Sequence, residues 1–280
     1  MDADDAPVIG FDLPILDPDE TASGEPDEAL GDAEMEDDGP RTVLITGACG
    51  TIGRKLRAAW ADAYDLILID KAAGPDEPEV VAADLATWDE YWTDAFLGVD
   101  TVVHLAANPN AFADWDELAG PNLDAMANVL NASALAGVDR IVFASSNHAM
   151  GGYRDRDETP IGAELAPRPG NAYGAAKLMG ERLGRSLSEA FDLTFIALRI
   201  GWVQTGENRP ATLPDDWARS LWLSDGDLIR LFDRAVEADL GDRTFAVVNG
   251  ISKNRGTRWD LDGAAELIGY TPEDDASAGA

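Results

Sequence analysis

The sequence predicts an α/β protein with a doubly wound, parallel β-sheet, and three observations lead to this prediction. From Arg41 onward, short apolar runs alternate with helical segments of about 10 to 20 residues, which is the pattern of βαβ units. The runs are apolar throughout, as is typical of strands covered on both faces. A glycine-rich segment separates the first run from the first helix.

The elements follow in order along the chain. Strands are predicted at 42–46, 66–69, 80–82, 101–105, 140–144, 193–198 and 244–248, and helices at 51–62, 86–95, 115–136, 172–191 and 226–237. After Ile200 the alternation gives way to a stretch rich in Trp, Pro and Asp. We therefore expect a sheet domain at 41–200 and a smaller C-terminal region at 201–280.

Residues 1–40 have the composition of a disordered tail. They contain 15 acidic residues and no Lys or Arg, and five prolines interrupt them. We predict that the tail is mobile. The alternative is that its apolar island, 8–16, packs against the folded domain or a partner subunit.

Composition excludes several classes of protein. The 280 residues are 45% apolar, enough for a large buried core, yet no apolar run approaches the roughly 18 to 20 residues of a membrane span. We expect no membrane partner and a cytoplasmic location. One cysteine precludes an internal disulfide, and the two histidines lack ligand spacing, so no metal site is predicted.

The charge balance is strongly acidic. The chain has 53 Asp and Glu against 21 Lys and Arg, for a net charge of −32, and only four of the 21 basic residues are lysines. Such a surface makes nucleic acid an unfavourable partner. It indicates adaptation to a salt-rich cytoplasm, the alternative being an ordinary acidic enzyme from a mesophile.

The segment 46–53 predicts a dinucleotide site. Gly47, Gly50 and Gly53 allow a sharp turn and close approach to a pyrophosphate, which then meets the amides at the start of the first helix. The intervening Cys49, Thr51 and Ile52 are expected to line the same site. Asp70 ends the second strand, where a carboxylate binds the adenosine ribose and favours NAD over NADP. Lys71 beside it weakens that preference, so NADP remains possible.

Further cofactor contacts are predicted after the later strands. Asp84 and Leu85 follow the third strand, at the expected adenine edge, although Asp84 could instead cap a helix. The remaining predicted contacts are Leu105, Ala106, Ala107 and, just after the sixth strand, Ile200. Asn108 is a candidate substrate contact.

Two groups of residues carry the predicted chemistry. Ser146, Asn147 and His148 end the fifth strand and should face the ligand crevice, unless they form a simple turn with a structural histidine. Tyr173 and Lys177 lie one helical turn apart, so the lysine can stabilise the phenolate of a catalytic tyrosine. The alternative for this pair is a solvated helix face.

Taken together, these motifs resemble the extended short-chain dehydrogenase/reductase family over about 41–275. They are T-G-x-x-G-x-x-G, the acidic end of strand 2, the Ser-containing end of strand 5, and Y-x-x-x-K. The segments 143–148, 198–201, 222–224 and 250–252 are similar to those of uronate dehydrogenases and related archaeal sugar and sugar-phosphate dehydrogenases. The resemblance implies a Rossmann-type fold in which Tyr173 is the base, Lys177 binds the nicotinamide ribose and Ser146 holds the reacting oxygen. It also implies that Asn147 and His148 bind sugar hydroxyls.

Two departures from that family bear on the substrate. Where uronate dehydrogenases have a serine and an arginine that bind the substrate carboxylate, this chain has Trp202 and Trp217. Indole side chains cannot bind an anion as a serine and an arginine do, so the two tryptophans favour a neutral sugar. Arg219 or Arg209 could restore the cation if the loop is shifted.

The resulting hypothesis is an NAD-dependent aldose 1-dehydrogenase that converts a neutral pentose or hexose, such as L-arabinose or D-galactose, to a lactone. The alternatives are the same chemistry on a uronate or glucose 6-phosphate, a sugar-nucleotide epimerase or dehydratase, and a non-catalytic NAD-sensing regulator. The resemblance also implies a homo-oligomer, a dimer or higher.

Overall fold

The computed structural model describes residues 39–191, 193–206 and 208–278. The segment predicted to be a mobile tail, 1–40, lies outside the described residues except for its last two positions.

Seven parallel strands form one sheet in the order β3-β2-β1-β4-β5-β6-β7. This arrangement confirms the predicted doubly wound sheet. Strands β5 and β6 each run two residues further than predicted, so that Ser146 and Ile200 end them in register with one another. The strands are β1 (Thr42–Thr46), β2 (Asp65–Asp70), β3 (Val80–Ala82), β4 (Thr101–His104), β5 (Arg140–Ser146), β6 (Thr194–Ile200) and β7 (Phe245–Gly250).

Helices cover both faces of the sheet. In β1, Val43 and Ile45 pack into the layer that contains α1 and α7, whereas Leu44 packs into the layer that contains α4 and α5. This alternation follows from the period of two along a strand. The helices are α1 (Thr51–Trp60), α2 (Glu90–Thr93), α3 (Trp115–Leu118), α4 (Ala125–Leu135), α5 (Ala172–Phe191), α6 (Asp216–Ser220), α7 (Asp225–Glu237) and α8 (Asp262–Ile268).

Two predicted helices differ from the observed ones. The helix predicted at 115–136 is interrupted by six π-helical residues, 119–124, between α3 and α4. Pro121 lies within this segment and lacks the amide hydrogen that an α-helix would use there. The helix predicted at 86–95 starts only at Glu90, because the Asp89 side chain accepts from the Tyr91 amide and caps it. Helices α6 and α8 were not predicted.

The C-terminal region completes the same sheet through the pairing of β7 with β6. Directly after β6, the backbone of Trp202 bonds to a parallel segment: its amide donates to the Leu221 carbonyl at 2.7 Å, and its carbonyl accepts from Leu223 at 3.0 Å. Within the described ranges, no helix combines the length and apolar character needed to cross a bilayer.

A buried ion pair joins α5 to the centre of the sheet. The Arg199 guanidinium, on β6, donates to both carboxylate oxygens of Glu181 at 2.9 and 2.8 Å. The Ser145 hydroxyl, on β5, donates to the same carboxylate at 2.6 Å. The side chains of Arg199 and Glu181 are 2% and 3% exposed. The Glu181 carboxylate on α5 therefore connects this helix to β5 and β6, and all three elements contribute residues to the ligand cleft.

Candidate active site

A cleft of about 740 Å³ lies at the carboxyl ends of the strands. It spans the junction of β1 and β4, where the strand order reverses, which is the usual ligand position in such sheets. Every predicted cofactor residue lines it: Gly47, Cys49, Gly50, Thr51, Ile52, Gly53, Asp70, Lys71, Asp84, Leu85, Leu105, Ala106, Ala107, Tyr173, Lys177 and Ile200. Ser146, Asn147, His148 and Trp202 line it as well.

The glycine turn forms a tightly packed backbone cradle with no room for a Cβ at Gly47 or Gly53. Gly47 has φ +72°, and a Cβ there would lie 2.7 Å from the Ala106 amide nitrogen. A Cβ on Gly53 would lie 2.4 Å from the Gly47 carbonyl oxygen. No side chain caps the start of α1 at Gly50, so the first-turn amides face the cleft without a competing side-chain acceptor. The cradle fits the pyrophosphate of a dinucleotide.

The carboxylate of Asp70 closes this turn from the side of β2. One of its oxygens accepts from the Cys49 amide at 2.8 Å, and the other accepts from the Ala72 amide at 2.7 Å. Asp70 therefore fixes the glycine turn from the position predicted to bind the adenosine ribose.

Lys71 and Asp84 form an ion pair at the same end of the cleft. The Lys71 ammonium lies 2.7 Å from an Asp84 carboxylate oxygen, and this hydrogen bond lowers the pKa of Asp84. The alternative assignment of Asp84 as a helix cap is wrong, because α2 starts six residues later and is capped by Asp89. Asp84 instead accepts from the Ala86 amide in a turn, at 3.2 Å.

Tyr173 and Lys177 lie on the inner face of α5 rather than on a solvated one. Lys177 is 5% exposed, and its ammonium lies 5.8 Å from the centre of the Tyr173 ring and 5.1 Å from that of Phe143. Burial lowers the pKa of Lys177 to about 8. Burial also raises the pKa of Tyr173, and a hydrogen bond with Ser146 only partly opposes it. The net shift of the tyrosine pKa is therefore upward, and the prediction that Lys177 lowers it stays a prediction.

The end of β5 brings three polar side chains to the cleft. The Ser146 hydroxyl accepts from the His148 amide at 3.1 Å and lies 3.2 Å from the Asn147 side-chain oxygen. It thus caps a turn, as the alternative assignment proposed, while it also lines the cleft. The edge of the His148 ring meets the Tyr173 ring, with centres 5.6 Å apart.

Two predicted substrate residues do not line the cleft. The backbone of Asn108 is held by Asn122, a buried residue of the π-helical segment, through bonds of 2.8 and 3.1 Å. Its side chain caps the Asn110 amide at 3.0 Å. Trp217 packs against Trp259 instead, with ring centres 5.9 Å apart. These positions turn away because a neighbouring element already holds each of them.

Sequence reasoning missed several residues around the cleft, including Asn110, Phe112 and Asn171. Asn110 and Phe112 line it from the loop after β4, and Phe112 is 97% exposed. Asn171 lies just before α5 and touches both His148 and this loop. An asparagine three residues before Gly174 is a recognisable helix-cap signal and could have been found, whereas the position of an irregular loop could not.

The sources of positive charge in the cleft are few. Among the described residues that line it, the cationic side chains are Lys71 and Lys177. Arg219, which could have supplied an anion contact, donates to the Leu213 carbonyl and pairs with Asp216 on the surface. Arg209 does not line the cleft either.

Comparisons with known proteins agree with this geometry. The NAD dependent epimerase/dehydratase family matches residues 43–216. Two proteins of Haloferax volcanii are each 35% identical to this chain: an NAD-dependent glucose-6-phosphate dehydrogenase, over 84% of this chain and 94% of its own length, and an L-arabinose 1-dehydrogenase (NAD(P)(+)), over 84% and 97%.

A solved structure is similar as well. The Y136A mutant of uronate dehydrogenase from Agrobacterium tumefaciens, complexed with NAD, superposes with a TM-score of 0.68 at 28% identity, covering 86% of this chain and 87% of that one. The chain belongs to the NAD-dependent epimerase/dehydratase family, the extended short-chain dehydrogenases/reductases.

Proposed function

We propose that this protein is an NAD-dependent aldose 1-dehydrogenase that oxidises the anomeric carbon of a neutral sugar to a lactone. The observation that carries the proposal is that Ser146, Tyr173 and Lys177 line one cleft with the glycine cradle. A base, a hydroxyl donor and a dinucleotide cradle in a single cleft are the parts that oxidation of an alcohol requires.

The cofactor assignment rests on the fit of the cradle. Gly47, Gly50 and Gly53 would hold the pyrophosphate, Asp70 the adenosine ribose, and Lys177 the nicotinamide ribose. Asp70 puts a carboxylate at the end where NADP would bring its 2′-phosphate, and Lys71 there is already paired with Asp84, which supports NAD. When bound, NAD accepts the hydride from the sugar carbon.

The protein's own residues would manage the proton. The anomeric hydroxyl donates to the Tyr173 oxygen, while the Ser146 hydroxyl donates to the same sugar oxygen and holds it in place. As the C–H bond breaks, this oxygen passes its proton to Tyr173 and becomes the lactone carbonyl. The Lys177 ammonium, on the face of the Tyr173 ring, stabilises the phenolate that acts as the base.

The walls of the cleft support a neutral substrate. Lys71 is paired with Asp84 at the adenosine end, and Lys177 lies beneath the base, so neither is available to the distal end of a sugar. An anionic group buried there without a partner would cost several kcal/mol. Trp202, which is 44% exposed on the wall, can instead stack on the apolar face of a sugar ring. L-Arabinose and D-galactose are the leading candidates.

A second candidate is the same reaction on an anionic sugar. The observation that favours it is the equal identity of this chain to the glucose-6-phosphate and L-arabinose dehydrogenases of Haloferax volcanii. The two candidates share the base and the cofactor and differ only at the distal end of the cleft.

A substrate panel tests both candidates. Aldoses, uronates and sugar phosphates are assayed for NAD reduction in high salt, and neutral pentoses or hexoses are expected to give the highest kcat/KM. Rates confined to anionic sugars would overturn the neutral-sugar assignment. A protein that holds NAD through turnover without net reduction would be an epimerase or dehydratase.

The Tyr173→Phe variant tests the base. It is expected to lower kcat by about 10² to 10⁴-fold while NADH binding, followed by fluorescence, stays within about twofold. A variant that turns over like the parent would remove Tyr173 from the mechanism. A protein that binds NAD, and for which no sugar supports turnover, would match a nucleotide sensor instead.

A further inference from the structure

Asn171 connects three parts of the cleft through its side-chain amide. Its oxygen accepts from the Gly174 amide at 2.8 Å and caps α5 two residues before Tyr173. Its nitrogen donates to the Ala111 carbonyl at 3.0 Å, in the loop that brings Phe112 to the cleft. The same nitrogen lies 3.0 Å from Nδ1 of His148.

These partners fix which atom of the amide is the donor. A backbone amide can only donate, so the atom bonded to Gly174 must be the oxygen. A carbonyl can only accept, so the atom bonded to Ala111 must be the nitrogen. That nitrogen has a second hydrogen, which points to His148, and Nδ1 of His148 must therefore accept it. The imidazole proton is then on Nε2.

The surroundings of His148 favour the neutral ring. Burial lowers the pKa of His148, and the ring touches the uncharged phenol of Tyr173 edge-on. In the part of the chain that the structure describes, Nε2 has no hydrogen-bond partner, although the ring lines the cleft. The Nε2–H group is therefore free to donate a hydrogen bond to a molecule bound in the cleft beside Tyr173.

We propose that Asn171 is a positioning residue that holds His148 as the neutral Nε2–H tautomer, so that the ring donates a hydrogen bond to a hydroxyl oxygen of the sugar. Only the identity of the acceptor rests on the proposed function. The tautomer itself follows from the Asn171 contacts and can be measured without any substrate.

Asn171→Asp is the informative variant, because it keeps the shape and the acceptor for the Gly174 amide but replaces the donor to His148 and to the Ala111 carbonyl by an acceptor. An aspartate oxygen still accepts from the Gly174 amide, so the cap on α5 is retained. The other oxygen now faces Nδ1 where a donor stood, and a carboxylate there favours a proton on Nδ1. We expect a changed imidazole, with the lost hydrogen bond to the Ala111 carbonyl lowering the unfolding temperature by only a few degrees.

Nitrogen-15 NMR of histidine-labelled protein reads the tautomer directly. The sequence contains two histidines, so the spectrum shows the signals of two imidazoles. The signals that disappear in the His148→Gln variant are those of His148. The parent protein is expected to show His148 protonated on Nε2 only, and Asn171→Asp to show a proton on Nδ1. A parent imidazole protonated on Nδ1, or an unchanged tautomer in Asn171→Asp, would overturn the proposal.

Kinetics then test the donor role with a matched pair at position 148. A glutamine amide reaches the position of Nε2 and keeps a donor there, whereas an asparagine amide stops near Nδ1. We expect His148→Asn and Asn171→Asp to raise KM for the sugar about tenfold, the loss of one hydrogen bond, and His148→Gln to raise it less than His148→Asn does. NADH affinity should not change in any of the three.

Equal KM values for the Gln and Asn variants would overturn the donor role. If no sugar were oxidised at all, the proposed function would fail while the NMR experiment would still decide the tautomer. The two proposals therefore fail separately.

Discussion

At the scale of single residues, the most costly side chain in the cleft is Lys177. Its ammonium is buried against two aromatic rings, and no carboxylate pairs with it in the described part of the chain. Burial lowers its pKa from the ordinary 10.5 to about 8. A protein that keeps such a group accepts lower stability in return for a cation beside the base.

The Lys177→Met variant is predicted to be more stable than the parent at neutral pH. The folded protein holds the proton less tightly than the unfolded chain, so the parent is destabilised below pH 8, by on the order of 3 kcal/mol. This penalty disappears as pH rises from 8 to 10.5, because only the unfolded chain then carries the proton. Thermal unfolding at several pH values, at constant salt, measures the difference.

Lys71→Met is the control for this prediction, because the Lys71 side chain is 74% exposed and its charge is solvated. Its unfolding temperature should follow that of the parent across the pH range. A Lys177→Met protein that unfolds with the parent at pH 7 would contradict the prediction.

Residue types and spacing predicted most of the cleft, because the fold brings the ends of parallel strands together. Asn108 and Trp217 were not brought to it, since each is held by a tertiary partner, Asn122 and Trp259, that lies 14 and 42 residues further along the chain. The importance of Asn171 was missed for the same reason: its contacts with Ala111 and His148 span 60 and 23 residues.

At the scale of elements, the sheet was predictable and the helices around 86–124 were not. Strands in a parallel sheet are uniformly apolar and stand out in the sequence. The π-helical segment depends on Pro121 and on the burial of Asn122, and the latter is a tertiary property. Asn122 of that segment holds the backbone of Asn108, so the π-helical segment fixes the loop after β4 that lines the cleft.

The glycine turn offers a prediction with an internal control. Gly47→Ala places a Cβ 2.7 Å from the Ala106 amide at φ +72° and must shift the turn, so NADH affinity is expected to fall at least tenfold. Gly74→Ala meets nothing within 4 Å and should leave affinity unchanged. Fluorescence titration of both variants with NADH measures the difference, and equal affinities would count against the cradle.

The buried pair of Arg199 and Glu181 offers another prediction at this scale. Arg199→Met alone leaves a carboxylate in the core with Ser145 as its remaining partner and should cost about 3 to 5 kcal/mol. Combining it with Glu181→Leu removes the stranded charge and should recover most of that loss.

Chemical denaturation of the two single variants, the double variant and the parent completes the cycle. Additive losses in the double variant would show that the two side chains act independently. Recovery would instead show that the two side chains are energetically coupled, and kcat in the double variant would then test whether the pair also aligns α5 with β5 and β6.

At the scale of the whole molecule, charge decides the conditions in which the fold survives. The net charge is −32, with 53 acidic residues in 280. In dilute salt these charges repel one another over about 10 Å, whereas molar salt screens them within about 3 Å. Self-repulsion opposes a compact state more than an extended one.

Transfer from about 3 M KCl to about 0.1 M is therefore predicted to unfold the protein, as followed by circular dichroism. Sucrose at matched osmolality serves as the control, because it favours compact states without screening charge. Protection by sucrose equal to that by KCl would indicate that hydration, rather than repulsion, sets the salt requirement.

The one-sided placement of the cleft has a practical consequence. The residues that line it come from the carboxyl ends of strands, from the loops beyond them and from the helices that follow, so the opposite edge takes no part. Gly98 and Gly137, in the turns that lead into β4 and β5, have open space around them on that opposite edge. A surface attachment or a fused partner joined there would leave the mouth of the cleft facing solution, which suits this chain to immobilisation on a solid support in concentrated brine.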